Sequence, residues 1–370
     1  MTPLGQLKME IMRCGVAPDA EVRRRIAGSA DVVADLKEVS FSLAPDFLVT
    51  ARIQAAASAM PLTWKDGRAI LDMPAGPLTV TLSPLPDFCI QLQQKSSGRV
   101  AGNVCMDGFC LNLYLKVNAP DKKLNRDIPE VLSWVRSASA EGPVNLVQIN
   151  MEYCDFPDRG FSLLEPLVRA VKRNFRTFVS LRSFPPENLS GLDRVYASGI
   201  DVLNLPLEGF PSDESRVHTP GFREHGQRAL EYAAGVFPFG AVMTELAFHP
   251  ENTDALLNRI DLLAQKNILP LLILPTDLAV EHFEVLNATL DHLERAVTRQ
   301  RLPLKWLYPS ARFVSPLDSA FFTDSPQAAR LALKPIYKSA LGITASEGFA
   351  ALRRALRVKN ISDSYESSGL

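Results

Sequence analysis

Cysteine is scarce in this chain: five of 370 residues, Cys14, Cys89, Cys105, Cys110 and Cys154. They are too few and too scattered to form a disulfide scaffold. Long apolar runs are missing as well. No window reaches the ~18 uninterrupted apolar residues that a membrane span needs, and the opening MTPLGQLKMEIMRCG has no continuous apolar core of the kind a secretory signal carries. Charge of one sign is not in excess, since 40 basic residues meet 41 acidic ones. No basic patch interleaved with aromatics occurs, so no nucleic-acid partner is expected. Glycine-rich phosphate cradles are absent too, with neither a GxGxxG nor a Walker A segment. These absences predict a cytoplasmic protein with reduced thiols and no transmembrane segment.

What is present is a repeated pattern. Six short apolar runs (residues 111–117, 144–150, 176–182, 201–208, 241–248 and 269–275) alternate with amphipathic helical patterns. Strands alternating with helices at this interval signal βαβ units and a parallel sheet. Right-handed crossovers then curl the series. The fold class predicted is α/β, a six-unit (β/α)6 partial TIM-type barrel spanning 105–302. An N-terminal helical and antiparallel β extension (1–104) precedes it, and a C-terminal helical cap with a polar tail (303–370) follows.

Within the extension, residues 1–60 read as helical. Turn dipeptides such as Asp66-Gly67 and Ser97-Gly98 then mark a small sheet over roughly 64–104. In the barrel, the third and fourth helices are expected to stop at Gly199 and Gly235 through left-handed caps. The last helix carries Phe283, Leu286, Leu290 and Leu293 at a period of 3.6. Two closing helices are read over 325–343 and 346–358.

Barrel chemistry gathers at the C-terminal ends of the strands. Glu152, Arg182, Glu208 and Glu245 fall there. Carboxylates can receive an ammonium, while Arg182 or Arg216 can receive a carboxylate through a planar fork. The same residues also read as a buried ion-pair network that binds nothing. The five histidines (His218, His225, His249, His282 and His292) make no HExxH or His-x-His pair, so no metal site is read from them. His249, ending the fifth strand, is the one placed toward the active face. Cys154, beside Asp155, is expected to have a raised thiol pKa and no nucleophilic role.

Several short motifs occur in order at these strands: LPLEGF ending the fourth, ESRVHTPG after it, FGAVMTEL at the fifth, and Asp158-Arg159-Gly160 before the second helix. Together they resemble the radical S-adenosylmethionine superfamily, in its biotin synthase-like branch. The resemblance implies that Asn150, Glu152, Arg182, Glu208 and Arg216 bind S-adenosyl-L-methionine. It also implies a CxxxCxxC loop after the first strand, which would hold an iron–sulfur cluster. Here that loop reads NAPDKKLNRD and contains no cysteine. Cys105 and Cys110 should lie at the opposite end of the barrel from Cys154.

The expectation is therefore a degenerate member without its own [4Fe–4S] cluster, a pseudoenzyme. It would act as an accessory or small-ligand-binding protein, partnered by an intact paralogue or a pathway enzyme. The alternative is a catalytically active member of the family, its cluster completed from elsewhere, or a cluster-free transferase or lyase. The cluster-free enzyme would use Glu208 or Glu245 for general acid–base chemistry.

Overall fold

A computed structural model describes residues 4–28, 36–45, 47–74, 76–95, 104–107, 110–118, 121–142, 144–207, 221–275, 278–307 and 314–322. Near the N-terminus, α1 (Leu4–Cys14), β1 (Val16–Pro18) and α2 (Ala20–Ala27) precede five strands: β2 (Glu38–Ala44), β3 (Phe47–Arg52), β4 (Met60–Lys65), β5 (Arg68–Met73) and β6 (Gly76–Leu82). Their order across the sheet is β1-β4-β5-β6-β2-β3. The β1–β4 pair is parallel and the others are antiparallel.

Two expectations are corrected here. Residues 38–52 form strands, not a helix, because their apolar residues alternate. Val39, Phe41 and Leu43, then Phe47, Val49 and Ala51, are buried every second position, which is a strand period. The sheet accordingly runs over 16–82, and residues 87–95, read as part of it, form helix α3 (Asp87–Lys95). Asp19 locks this unit together. One carboxylate oxygen accepts from Val22 N–H at 2.7 Å to cap α2, and the other accepts from Trp64 N–H at 2.8 Å.

The second sheet holds β7 (Val104–Asp107), β8 (Cys110–Leu115), β11 (Leu146–Met151), β12 (Phe178–Arg182), β13 (Val202–Asn204), β14 (Val242–Ala247) and β15 (Ile268–Ile273). A two-stranded ribbon, β9 (Val117–Asn118) with β10 (Lys123–Leu124), sits in the loop after β8. Strands β8 and β11 to β15 neighbour one another in chain order and are all parallel; β7 adds an antiparallel edge. The helices following them are α4 (Ile128–Glu141), α5 (Phe161–Asn174), α6 (Gly191–Ser198), α7 (Phe222–Val236), α8 (Thr253–Gln265) and α9 (Phe283–Arg299).

Local signals account for several helix ends. Asp127 caps α4 by accepting from Glu130 N–H at 2.9 Å. Gly199 ends α6 at a φ of 129°, a conformation that disfavours a side chain. Gly235, expected as a cap, lies inside α7, which instead closes at Phe237.

Beyond α9 the chain pairs once more, Val314 bridging antiparallel to Leu272. It then returns to the first unit, where Phe321 stacks on Phe47 at 4.2 Å between ring centroids. The two closing helices read over 325–358 lie outside the described residues. Among the described residues no helix is long and apolar enough to cross a membrane.

Candidate functional site

The two faces of the parallel sheet differ in chemistry. Register partners in a sheet share a face, and successive residues alternate between faces. One face carries Leu111, Leu113, Leu115, Val147, Ile149, Met151, Val179, Leu181, Leu203 and Leu246, all buried in the main hydrophobic core. The other carries a polar row. Asn112 aligns with Gln148, and Gln148 with Ser180. One step nearer the C-terminal ends, Tyr114 aligns with Asn150, Asn150 with Arg182, and Arg182 with Asn204. Two residues beyond Met243, the partner of Asn204, β14 places Glu245 on this same face.

Most of these side chains fall into two bonded groups. Arg182 grips Glu245 with both arms of its fork, Nε to Oε1 and Nη2 to Oε2, each at 2.6 Å. Asn204 Nδ2 also donates to Glu245 Oε1 at 2.6 Å. Glu245 is 1% exposed and the Arg182 side chain 13%. Such bidentate, charge-assisted bonds are the strong kind, and they fix orientation. Further along, Gln148 Nε2 donates to Asn150 Oδ1 at 3.0 Å, and Asn150 Nδ2 reaches Asn112 Oδ1 and the Leu113 carbonyl, both at 3.4 Å. Asn204 Oδ1 is buried with no hydrogen-bond partner among the described residues. An unmet buried acceptor of this kind costs about 1–3 kcal/mol.

The loops above the row are also ordered by contacts. Thr244 Oγ1 donates to the Leu205 carbonyl at 2.8 Å and accepts from Leu207 N–H at 3.2 Å. These bonds pin the chain that leads to Glu208. Arg159 donates to the carbonyls of Cys154 and Phe156 and lies over the Tyr153 ring, 4.9 Å from its centroid. Tyr153 in turn meets Phe184 edge-on at 5.1 Å. Asp158 caps the start of α5 through Gly160 and Ser162 N–H, each at 3.0 Å. Burial pushes its carboxyl up, but hydrogen bonds from Ser162 and Gly160 and the charge of Arg194 hold it below the usual range.

The predicted site residues divide accordingly. Asn150, Arg182 and Glu245 share the polar face. Glu152 is exposed, just beyond the end of β11, and its backbone N–H donates to the Leu115 carbonyl. Glu208, Arg216 and His218 lie outside the described residues. His249 has a 61% exposed side chain facing Glu251 at 3.8 Å. The Cys154 thiol is pushed up chiefly by burial, with Asp155 the smallest contributor, so the expected direction holds for a different reason.

Asn112, Gln148, Ser180 and Asn204 were missed. Their signal is present in the sequence as polar residues at alternate positions inside otherwise apolar strands.

The residues present do not fit a family-type iron–sulfur centre. Cys105 and Cys110 flank the β7–β8 turn at the N-terminal end of the parallel sheet, whereas Cys154 follows the C-terminal end of β11. The loop after β8 offers no thiolate. Among the described residues no three His, Cys, Asp or Glu side chains gather as metal ligands. A cavity of about 520 Å³ lies where α2, the start of α3 and the end of α4 meet, lined by Arg25, Phe88, Met106 and Glu141 among others. It sits at the sheet's N-terminal end, away from the polar row.

No family model matches the chain, and no curated protein matches it by sequence. Solved structures that match include a Yersinia pestis dihydropteroate synthase holding a pterine–sulfa conjugate. That likeness has 14% identity and a TM-score of 0.32, and covers 67% of this chain and 99% of that one. Another is a dihydropteroate synthetase holding a product, at 15% identity and a TM-score of 0.32, covering 65% and 93%. At that TM-score neither likeness transfers an activity or a residue role.

These findings overturn the radical S-adenosylmethionine resemblance. No family model matches the chain, that of the expected superfamily included, and the solved structures that match include dihydropteroate synthases. Short motifs in strand order do not by themselves fix a family, since one fold hosts many unrelated functions. The accessory role beside an intact paralogue or pathway enzyme, the pseudoenzyme reading and the case for S-adenosylmethionine fall with it.

Proposed function

We propose that this chain is a cluster-free enzyme of the transferase or lyase type, acting on a small polar molecule. The molecule would be held against the polar face of the parallel sheet, toward its C-terminal ends. The sheet would curl as a six-unit partial barrel over 105–302, between the extension (1–104) and the C-terminal cap (303–370). Strands in chain order support that reading, because consecutive parallel strands joined by right-handed crossovers curl rather than wind both ways.

One observation carries the proposal: two bonded groups share a single face, the amides of β8 and β11 and the Arg182–Glu245–Asn204 group across β12 to β14, while the opposite face is apolar but for Thr244. A core built for stability alone would fill both faces with Val, Ile and Leu, as parallel strands commonly do. Burying amides and charge in a barrel interior is a cost that ligand recognition offsets.

Roles follow from the bonding. Both Glu245 oxygens already accept, so Glu245 is a positioning residue that sets Arg182 and Asn204. Asn150, with its longer 3.4 Å bonds, is the amide able to trade partners for a ligand. Glu208 is assigned the acid–base step, since it directly follows the segment that Thr244 pins at the end of β13. The five thiols, none in a disulfide, suit the reducing compartment expected.

The test is a thermal-shift screen of a polar metabolite library, with mass spectrometry of small molecules released from the purified protein. At least one neutral or zwitterionic compound should raise the melting temperature of the wild type. Asn150→Leu should abolish that rise while keeping its own cooperative melt. If no compound in the library stabilises the wild type, the reading fails.

A further inference from the structure

An asparagine amide has a donor end and an acceptor end of the same shape, so its orientation is argued from its partners. For Asn204 the partner settles it. Glu245, held by the Arg182 fork, offers only acceptors, and the Asn204 atom 2.6 Å from Oε1 must be the donating Nδ2. The Oδ1 end is then fixed on the other side. It is buried, on a residue 4% exposed, and has no partner among the described residues.

Two features determine what can complete this atom. The cation on this stretch of the face, Arg182, has Nε and Nη2 committed to Glu245, so the ion pair adds no net charge. An incoming anion at this point would face a carbonyl oxygen and a carboxylate together, and would lose hydration beside two acceptors. A neutral N–H or O–H group would satisfy Oδ1 and leave the ion pair intact.

We infer that Asn204 is a specificity-determining residue whose Oδ1 accepts a hydrogen bond from an uncharged N–H or O–H donor on the ligand. The ligand presents an amide, amino or hydroxyl group at this point, not a carboxylate or phosphate. This deepens the small-molecule reading of the polar face and rests on it. The discrimination it provides is of the strong kind, because a site holding a buried acceptor rejects a ligand that lacks the donor.

Acetamide and acetate, equal in size and differing in donor and charge, are suitable probes in ligand-observed NMR against the full chain. Acetamide should bind at least ten-fold more tightly than acetate. Asn204→Leu, checked by circular dichroism for an intact fold, should abolish the acetamide signal. In Glu245→Gln the new amide can donate to Asn204 only if that amide turns over, which puts Nδ2 where Oδ1 stood, so the preference for acetamide over acetate should be lost. That variant keeps the side chain's shape and covers the case in which Asn204→Leu does not fold.

Equal binding of both probes to the wild type, a preference for acetate, acetamide binding that survives Asn204→Leu, or an acetamide preference that survives Glu245→Gln would overturn the inference and leave the site standing. Absence of both probes from the wild type would overturn the inference and the site together.

Discussion

Two buried ion pairs sit at opposite ends of the same sheet, and they are built differently. At the N-terminal end, Asp201 is fully buried. It accepts from Lys172 Nζ at 3.0 Å and from Val179 N–H at 2.9 Å, while Lys172 also donates to the Thr177 carbonyl at 2.8 Å. The partners are local, largely backbone, and stitch α5 to the entry of β12 and β13. At the C-terminal end, Arg182 and Glu245 are joined only by side chains projecting from β12 and β14, and beside them Asn204 keeps an unmet acceptor. A network that meets its own needs holds a fold together. The one that leaves an acceptor over, on the polar face, is where we place the ligand.

That contrast can be broken by removing each carboxylate in turn. Glu245→Ala leaves a nearly buried guanidinium and should cost about 3 kcal/mol by urea denaturation, with loss of ligand-induced stabilisation. Asp201→Ala should cost slightly less, about 2–3 kcal/mol, because the partly exposed Lys172 can turn toward water. Its ligand response should be unchanged. If Asp201→Ala also abolished the ligand response, the two ends would not be separable.

A smaller effect is expected where the lower pair meets α6. A Cβ added at Gly199, whose φ is 129°, would come within 2.8 Å of Lys172 Cγ. Gly199→Ala should lower stability by about 1–2 kcal/mol and leave ligand stabilisation intact, as read by paired thermal melts.

The smallest effect concerns a carboxylate belonging to neither pair. Glu294 on α9 is buried, with neither oxygen bonded among the described residues, and burial pushes its carboxyl up. A folded-state value above the unfolded one means that stability is full below the unfolded value, about 4.3, and is lost as pH rises through the folded one. Glu294→Gln should therefore melt above the wild type at neutral and alkaline pH, with the gap closing toward pH 4. A constant gap across that range would show that Glu294 does not titrate with folding.

The sequence was most legible where periodicity was strong. All six apolar runs are strands of one sheet, with boundaries shifted by a few residues at most except at the fourth, where Val202–Asn204 is shorter than the run read over 201–208. Each is followed by a helix. It was least legible over 38–52, where Ala, Leu and Arg pulled the reading toward helix while the alternation of buried positions decided for strand.

At the site, Arg182 and Glu245 were legible as charges at strand ends, but their mutual embrace spans 63 positions and depends on strand register. Asn204 is legible only as a polar residue inside an apolar run. Its importance comes from which end of its amide faces Glu245, a fact of three-dimensional placement. Motif order misled where it borrowed from a family, because short loop sequences at βα turns carry little information about ancestry.

The stack of Phe321 on Phe47 has a consequence for biogenesis. The N-terminal sheet cannot gain that cover until synthesis has passed the entire parallel sheet, so its outer face waits exposed while the ribosome works. Contacts between such distant stretches slow folding and lengthen the window for misassembly. A chain interrupted just before residue 314 would present the Phe47 ring to whatever chaperone or neighbour was nearest, and turnover of truncated products should begin there.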